Sequence, residues 1–361
     1  MSLPHLRIWI ADASSNLHAD ELAQHPSLFE TKVLRFLQQH FAVQLDRDNP
    51  MLLLHNNRIT TAPSYLCPHI FLSEENLRPP PHKPCEGHIG YADANQRGSL
   101  YLPNWALTDC ARLIQPPEDA ASLMRAKTHF CAFVQHMMRP ARYEVFEALA
   151  RHRRVDALGD ALRNRPAPPA LFTRHRAHDL ETLPAACRPY KFALTFENSA
   201  WDGYVTEKFI YALMARTVPI YWGDPAIADL INPACFIHAR DFASPQALVA
   251  HVMKVDADDA LYRRYLTAPV FRDNRLPPCA RWDLLVARLN ALLASAAAQR
   301  GRSHAECAPF QRESLSRLDG EHVLACLSLH DKRRAREAAP WGPALPAPMS
   351  EISILPPAMQ P

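Results

Sequence analysis

The clearest pattern of apolar and polar positions in this chain runs from residue 190 to residue 242. An apolar, β-favouring run over 192–196 predicts a strand, and the polar residues with an Asp-Gly pair that follow predict a turn. Apolar residues then recur at helical spacing after Thr206, which suits the N-cap position of a helix. A second apolar run, 218–222, predicts the next strand. This order is typical of a βαβ unit, in which the two strands are parallel.

Similar alternation of short apolar runs and helical periodicity extends through most of the chain. Near its beginning, a strand, a helix and two further strands indicate a Rossmann-like unit, with Ser27 and Glu30 as a capping box at the start of that helix. The strands of this unit are predicted at 6–10, 41–45 and 51–54, and its helix after 27. The pattern predicts further strands at 70–72 and 130–134, and further helices after 142 and over 244–255, 258–266 and 281–293. The proline- and arginine-rich segment 163–188 is predicted to be a mobile loop.

A candidate anion site follows from the βαβ unit. Ligands of open α/β sheets bind beyond the carboxyl ends of the strands, next to helix N-termini, and Glu197, Asn198 and Ser199 lie at such a strand end. Lys208 falls in the first turn of the predicted helix, where the helix dipole disfavours a cation but favours an anion. A phosphate held between the lysine and the backbone N–H groups would explain this position. The alternative is that Glu207 and Lys208 are ordinary solvated residues.

Composition narrows the class of protein. With 361 residues the chain is long enough for two domains, and 40 basic against 37 acidic residues give a net charge of +3, too small to indicate nucleic-acid binding. There are 33 prolines and only 9 glycines, and neither of the glycine-rich phosphate loops occurs, so any phosphate must be held by side chains and helix ends.

The cysteines and apolar runs bear on location. Nine cysteines, an odd number without a C-x-x-C pair, are typical of a reducing compartment without a disulfide framework or zinc cluster. The beginning of the sequence lacks a signal-peptide pattern, and no apolar run is long enough to span a membrane. We therefore expect a soluble, cytoplasmic protein.

A second group of candidate residues follows the strand predicted at 70–72. Glu74, Glu75 and Asn76 lie at its carboxyl end, where paired acids suit proton transfer but are equally consistent with an exposed loop. Tyr101 and Trp105, a little further on, could stack on a sugar, although core packing is the more common role of such aromatics.

Five ordered segments carry a resemblance to a known family. They are YKF at 190–192, FENS at 196–199, YVTEK at 204–208, VPIYWG at 218–223, and a P-x-x-FI…DF pattern over 233–242. In this order and spacing they resemble the α-1,3/1,4-fucosyltransferases of glycosyltransferase family 10. Animal members have an N-terminal membrane anchor, and this sequence shows no such pattern. The chain is therefore more similar to the bacterial members, which make Lewis-type antigens.

The resemblance implies an α/β fold of GT-B architecture, with two Rossmann-like domains facing each other across a cleft. The expected domains are an acceptor-side domain over 1–124 and a donor-binding domain over 125–300. A basic and then proline-rich tail over 301–361, partly disordered, follows them. The basic cluster of this tail gives weak support for peripheral contact with the inner membrane.

The implied reaction is inverting transfer of L-fucose from GDP-β-L-fucose to a hydroxyl of N-acetylglucosamine. The product linkage would be α-1,3, with α-1,4 as the alternative. The implied acceptor is an N-acetyllactosamine-type glycan, in lipopolysaccharide O-antigen or Lewis-type antigens. Because cationic side chains would supply the positive charge at the diphosphate, no cofactor or obligatory metal is expected. The sequence does not indicate an oligomeric state.

The family's residues can be carried over by position. Glu75 matches its catalytic base, although Glu74 stands where the family usually has glycine, which leaves open which of the two acids acts. Arg142, with Arg139 as the alternative, matches an arginine that contacts the donor diphosphate. The remaining donor-binding candidates are Lys208, Glu207, Asn198, Tyr204 and Glu197. Of these, Tyr204 would contact the ribose or base.

Two other functions stay open at this point. One is a glycosyltransferase of the same architecture that uses another nucleotide sugar. The other is a non-catalytic nucleotide- or glycan-binding relative, which the doubled acids Glu74 and Glu75 favour.

Overall fold

The computed structural model of the chain describes residues 3, 5–11, 29–56, 65–73, 85–91, 99–114, 119–137, 139–166, 182–281, 286–287 and 289–294. The predictions for Ser27, for Glu74, Glu75 and Asn76, and for the tail 301–361 lie outside these residues.

The first half of the chain forms a six-stranded parallel sheet. Its strands run in the order β2-β1-β3-β4-β5-β6. They are β1 (His5–Ala11), β2 (Ala42–Leu45), β3 (Leu52–His55), β4 (His69–Ser73), β5 (Gly87–Gly90) and β6 (Ser99–Tyr101). Every residue of β3 and β4 is buried, which is the pattern of parallel strands covered on both faces. Helix α1 (Phe29–Gln38) lies between β1 and β2 and buries Phe29, Val33, Phe36 and Leu37.

The second half forms a five-stranded parallel sheet in the order β11-β10-β9-β7-β8. The strands are β7 (His129–Phe133), β8 (Val155–Ala157), β9 (Tyr190–Phe196), β10 (Val218–Trp222) and β11 (Ile237–His238). The helices of this part are α2 (Ala120–Arg125), α3 (Pro140–Ala150), α4 (Thr182–Cys187), α5 (Glu207–Met214), α6 (Pro245–Ala257) and α7 (Asp259–Thr267).

Both sheets share one topology, which locates a ligand site. Counted from its own first strand, each sheet contains the order 2-1-3-4-5 of a doubly wound α/β fold. In such a sheet the ligand crevice lies outside the carboxyl ends of the strands, where the strand order reverses. In the second sheet this point lies between β7 and β9, whose neighbouring loops begin at Val134 and Glu197.

The predicted α/β class with two Rossmann-like sheets is confirmed. Strand β5 was not predicted, because Gly-His-Ile-Gly offers a single large aliphatic residue to a pattern search. The predicted loop over 163–188 is wrong at its end, where Thr182–Cys187 is helical and buries Leu183 and Cys187. Among the described positions of the helix predicted over 281–293, residues 286, 287 and 289–293 are helical.

The two halves share apolar packing. One cluster of buried side chains contains Leu6 and Ile8 of the first sheet together with Phe209 and Ile210 of α5. Trp105 belongs to the same cluster, fully buried, and Tyr101 is 8% exposed, so both aromatics are core residues as the sequence favoured. None of the helices described here has the length and apolarity needed to cross a bilayer.

Candidate functional site

The carboxyl end of β9 is the centre of the candidate site. Glu197, the first residue beyond the strand, is only 1% exposed, and its carboxylate points back into the protein rather than to solvent. Its Oε1 accepts a hydrogen bond from the backbone N–H of Thr206 and its Oε2 accepts one from the Thr206 hydroxyl, both at 2.7 Å. Glu197 therefore fixes the position of Thr206, the residue that directly precedes α5.

Burial dominates the electrostatics of this carboxyl group. Desolvation raises the pKa of Glu197 to about 7, although the charge of Lys208 and the two hydrogen bonds from Thr206 act in the opposite direction. Burial therefore favours the neutral form of this carboxyl group well above the pH at which an exposed glutamate ionises.

Thr206 occupies the predicted N-cap position of α5, but its side chain does not cap the helix. The hydroxyl donates to Glu197 instead, and it also accepts a hydrogen bond from Nζ of Lys208 at 3.2 Å. Thr206 thus links a buried acid to a cation in the first turn of the helix.

Lys208 and Glu207 form an ion pair at the start of α5. The Nζ–Oε1 distance is 3.0 Å, and the side chains are 24% and 13% exposed. Burial would lower the pKa of Lys208, but the negative charges of Glu207 and Glu197 outweigh burial and raise it above the usual value. Lys208 is therefore a permanent cation, as the sequence-based phosphate hypothesis requires. Its two hydrogen bonds use two of its three N–H donors.

Arg142 lies on the other side of the β9 end and is 1% exposed. Its Nε and Nη2 donate to the carbonyl of Phe196 at 3.0 and 2.8 Å, and Nη1 donates to the carbonyl of Met137 at 2.9 Å. Nη2 also donates to Oδ1 of Asn198 at 2.8 Å. Burial lowers the pKa of Arg142 to about 10, so it remains charged at neutral pH.

These bonds give Arg142 a role in placing the site. They use four of its five N–H donors to fix the last carbonyl of β9, the side chain of Asn198 and the loop after β7. Arg139, the alternative arginine, is exposed at the N-cap position of α3. The direct contact with a diphosphate that the sequence predicted for Arg142 stays a prediction.

Tyr204 is also inside the protein. It is 1% exposed, and its ring packs edge-on against Tyr91, which follows β5 of the first sheet, with 4.8 Å between ring centroids. Its predicted contact with a ribose or base is not tested by this arrangement. The structure thus brings together Glu197, Asn198, Tyr204, Glu207, Lys208 and Arg142.

The predicted base lies outside the described residues. Glu74 and Glu75 follow Ser73, the last residue of β4 in the first sheet. Which of the two acids acts stays open.

Two contributors were missed by sequence reasoning. Thr206 was assigned to helix capping alone, although its place between Glu197 and Lys208 in the segment is the signal that could have suggested a link. Gly223 follows β10, and a Cβ there would lie 2.5 Å from Cγ of Glu197 and 2.5 Å from the hydroxyl oxygen of Tyr221. Only glycine allows the Glu197 side chain to pass at this point.

The chemistry available at the site suits an anion of high charge. Two cationic side chains, Lys208 and Arg142, and the N-terminus of α5 lie at one edge of the second sheet. Within the described ranges, no three His, Cys, Asp or Glu side chains are grouped so that they could hold a metal ion. A phosphate here would meet N–H donors from side chains and backbone.

Comparison with known proteins gives this site a family context. Residues 123–269 match the family model described as glycosyltransferase family 10 (fucosyltransferase), C-terminal part. The matched segment contains β7 to β11 and therefore every candidate donor-binding residue.

Two curated relatives show the range of this similarity. The chain is 37% identical over 113 residues to GDP-fucose protein O-fucosyltransferase 3 of Bos taurus, which covers 31% of this chain and 23% of the relative. It is 30% identical over 221 residues to the 4-galactosyl-N-acetylglucosaminide 3-alpha-L-fucosyltransferase of Pongo pygmaeus. This match covers 58% of this chain and 56% of the relative. The chain therefore spans less than two thirds of either relative.

A solved structure matches more of the chain. The crystal structure of an alpha1,3-fucosyltransferase with GDP-fucose superimposes with a TM-score of 0.62 at 20% identity, over 81% of this chain and 91% of that one. At this identity the match shows that the two proteins share a fold.

Proposed function

We propose that this chain is an inverting fucosyltransferase, because residues 123–269 match the model of glycosyltransferase family 10, the fucosyltransferases. It moves L-fucose from GDP-β-L-fucose to a hydroxyl of N-acetylglucosamine in a glycan. The linkage formed is α-1,3, with α-1,4 as the alternative. GDP-fucose is the donor substrate, and no cofactor takes part.

The observation that carries the proposal is the cationic start of α5. Lys208 lies in the first turn, bonded to Thr206 and Glu207, at the carboxyl edge of the second sheet. The positive end of the helix and the Lys208 ammonium both favour a nearby anion, and a diphosphate bound there would meet both. Arg142 adds a second charge close by.

In the proposed reaction, the acceptor oxygen attacks the anomeric carbon of fucose from the face opposite GDP. The new C–O bond forms as the bond to the diphosphate oxygen breaks, and GDP leaves with the electron pair. Attack from the opposite face converts the β donor into an α product. Glu75 takes the proton of the acceptor hydroxyl, because a neutral hydroxyl is a poor nucleophile.

The leaving group determines the role of the cations. Negative charge grows on the diphosphate as the bond breaks, so a cation at that position stabilises the transition state more than the bound donor. Lys208 supplies this charge directly. Arg142 contributes the electrostatic potential of its positive charge, and its hydrogen bonds hold Asn198 and the carboxyl end of β9 in place. We expect activity to persist in EDTA, since the side chains supply the positive charge.

Two acceptor classes fit the relatives. The name of the Pongo pygmaeus relative points to a galactosyl-N-acetylglucosaminide, which agrees with a glycan acceptor of the N-acetyllactosamine type. The name of the Bos taurus relative points to a protein hydroxyl, and this is the second candidate. The proposed donor and donor site are the same for either acceptor.

The proposal extends to the setting of the enzyme. The glycan would belong to lipopolysaccharide O-antigen or a Lewis-type antigen, and the enzyme would be cytoplasmic with peripheral contact of its basic tail with the inner membrane. Fractionation of cells with and without residues 301–361 tests the membrane contact.

The deciding experiment measures GDP release and product mass. The chain is incubated with GDP-fucose and either N-acetyllactosamine or a folded acceptor protein, alongside Glu75→Gln and Glu74→Gln. Product from N-acetyllactosamine that is lost only in Glu75→Gln supports the full assignment, and loss only in Glu74→Gln moves the base by one residue.

Other results separate the alternatives. Product only on the protein acceptor selects O-fucosylation. Turnover of a different nucleotide sugar retains the architecture but rejects the fucose donor. Binding of GDP without any transfer contradicts the enzyme proposal and supports a binding protein.

A further inference from the structure

Three consecutive backbone carbonyls before α5 each accept a hydrogen bond from a buried tyrosine. The hydroxyl of Tyr101 donates to Gly203 at 2.9 Å, that of Tyr221 donates to Tyr204 at 3.3 Å, and that of Tyr91 donates to Val205 at 3.0 Å. Residues 203–205, called here the donor loop, lead directly into Thr206, Glu207 and Lys208.

The three tyrosines come from both sheets. Tyr91 follows β5 and Tyr101 ends β6, so both belong to the first sheet, whereas Tyr221 lies in β10 of the second. Tyr91 is 4% exposed and Tyr101 is 8% exposed, although each is a polar side chain far from the donor loop in sequence. The first sheet therefore makes two directed contacts with the segment that carries the candidate phosphate ligands.

The donor loop is shaped for these contacts. Gly203 has a φ of +79°, a conformation that favours glycine and presents its carbonyl to Tyr101. The edge-on packing of Tyr91 on the ring of Tyr204 adds a second contact between the first sheet and the loop. Burial raises the pKa of Tyr91 and of Tyr221 well above the usual range, so both remain neutral O–H donors at working pH.

We propose that Tyr91 and Tyr101 are positioning residues that set the start of α5, and with it Lys208 and Glu207, from the opposite domain. This inference rests on the proposed donor role of that helix end. It means that the donor site is completed only when the first sheet is docked on the donor loop. Tyr91 and Tyr101 then contribute to binding of the nucleotide sugar through the donor loop.

Conservative variants test the proposal. Tyr91→Phe and Tyr101→Phe keep the rings and remove only the hydroxyl groups. Tyr262→Phe is a matched control, because Tyr262 is a fully buried tyrosine in α7 whose hydroxyl donates to the Lys191 carbonyl at 3.1 Å, outside the site. All three variants lose one tyrosine–carbonyl hydrogen bond.

The first readout does not depend on the reaction. Hydrogen exchange of the amides of residues 203–208 should be faster by about tenfold in Tyr91→Phe and Tyr101→Phe and unchanged in Tyr262→Phe. Loss of one hydrogen bond raises the equilibrium constant for local opening of the backbone by about that factor. Equal exchange in all three variants and the unaltered protein would overturn the proposal, whatever the substrate is.

The second readout is steady-state kinetics with GDP-fucose. We expect KM for the donor to rise about tenfold in Tyr91→Phe and Tyr101→Phe, while Tyr262→Phe keeps the value of the unaltered protein. Each variant is also combined with Lys208→Met. If the tyrosines act through the start of α5, the effects on donor KM are less than additive. Fully additive effects would mean general destabilisation and contradict the proposal.

The two proposals fail in different ways. Absence of fucose transfer by the unaltered protein, with fast exchange at 203–208 in the variants, rejects the proposed reaction and retains the positioning role. Transfer with unchanged exchange and unchanged donor KM in both variants rejects the positioning role alone.

Discussion

The Thr206 hydroxyl donates a 2.7 Å hydrogen bond to the buried carboxylate of Glu197, so it does not cap the helix that Thr206 precedes. The other oxygen of Glu197 accepts the Thr206 backbone N–H, also at 2.7 Å. The acid thus receives both donors of one residue and fixes the position from which α5 starts. Lys208, bonded to the same hydroxyl, depends on this pair for its place.

Thr206→Val tests the importance of the pair. Valine has the shape of threonine but lacks the hydroxyl, so Oε2 of Glu197 loses the Thr206 hydroxyl as its donor, and the Glu197 residue is only 1% exposed. We expect a decrease of about 2 kcal/mol in the free energy of unfolding, the cost of leaving a buried acceptor unsatisfied. Denaturant titration measures it.

Thr267→Val is the matched control. The Thr267 hydroxyl donates a solvent-exposed hydrogen bond to the Arg263 carbonyl in α7, so its loss should cost less than about 0.5 kcal/mol. Equal losses in the two variants would show that Glu197 does not need the hydroxyl.

The pH dependence of stability should reveal the buried acid. The pKa of Glu197 rises from 4.5 to about 7 on folding, so between these values the folded protein holds a proton that the unfolded chain lacks. The contribution of this group to stability is complete below pH 4.5 and is lost as pH rises through 7. The shift corresponds to a loss of up to about 3 kcal/mol across that window.

Glu197→Gln isolates this contribution, because glutamine resembles the protonated acid and does not titrate. Unfolding is measured for both proteins at pH 5 to 8, and the unaltered protein should lose stability relative to the variant as pH rises. Lys208 and Arg142 keep their charges throughout this range. Parallel curves for the two proteins would contradict the raised pKa.

The two cations should differ in what their loss changes. Arg142→Met removes two hydrogen bonds from the buried Phe196 carbonyl and two from part-buried oxygens, and it empties a fully buried side-chain position, so we expect it to cost about 3 kcal/mol or more of stability. Lys208→Met removes a partly exposed cation, so stability should change by less than about 1 kcal/mol while GDP affinity falls at least about tenfold. Thermal unfolding and calorimetric titration with GDP measure the two effects. Similar stability losses would show that Arg142 and Lys208 have the same role.

Local patterns in the sequence predicted much of this architecture. Apolar runs located β7, β9 and β10 because these strands are buried on both faces, and helical spacing located α5 because its apolar face is continuous. The order of these elements was enough to place Glu197 and Lys208 at the carboxyl edge of the second sheet. Their proximity follows from the order of strands and helices along the chain, which the pattern of apolar and polar residues reveals.

Side-chain direction was not predictable in the same way. Nothing local indicates that Arg142 turns inward to the Phe196 carbonyl, 54 residues later, or that Tyr91 reaches Val205 across 114 residues. These contacts depend on how the two sheets pack together. A polar residue near a strand end is predicted equally well as a ligand contact or as a support for its neighbours.

Gly223→Ala should disturb the site through packing alone. A Cβ at this position would lie 2.5 Å from Cγ of Glu197 and 2.5 Å from the Tyr221 hydroxyl oxygen, so both side chains must move. We expect a loss of about 1–3 kcal/mol of stability, the usual cost of overpacking, and weaker binding of GDP, because the carboxylate that holds Thr206 is displaced. Tyr221→Phe removes the hydroxyl oxygen, one of the three atoms that a Cβ would approach within 3.0 Å, and the double variant should therefore be less destabilised than the sum of the single variants. A strictly additive double variant, with GDP affinity unchanged, would show that the close approach of Gly223 has no part in forming the site.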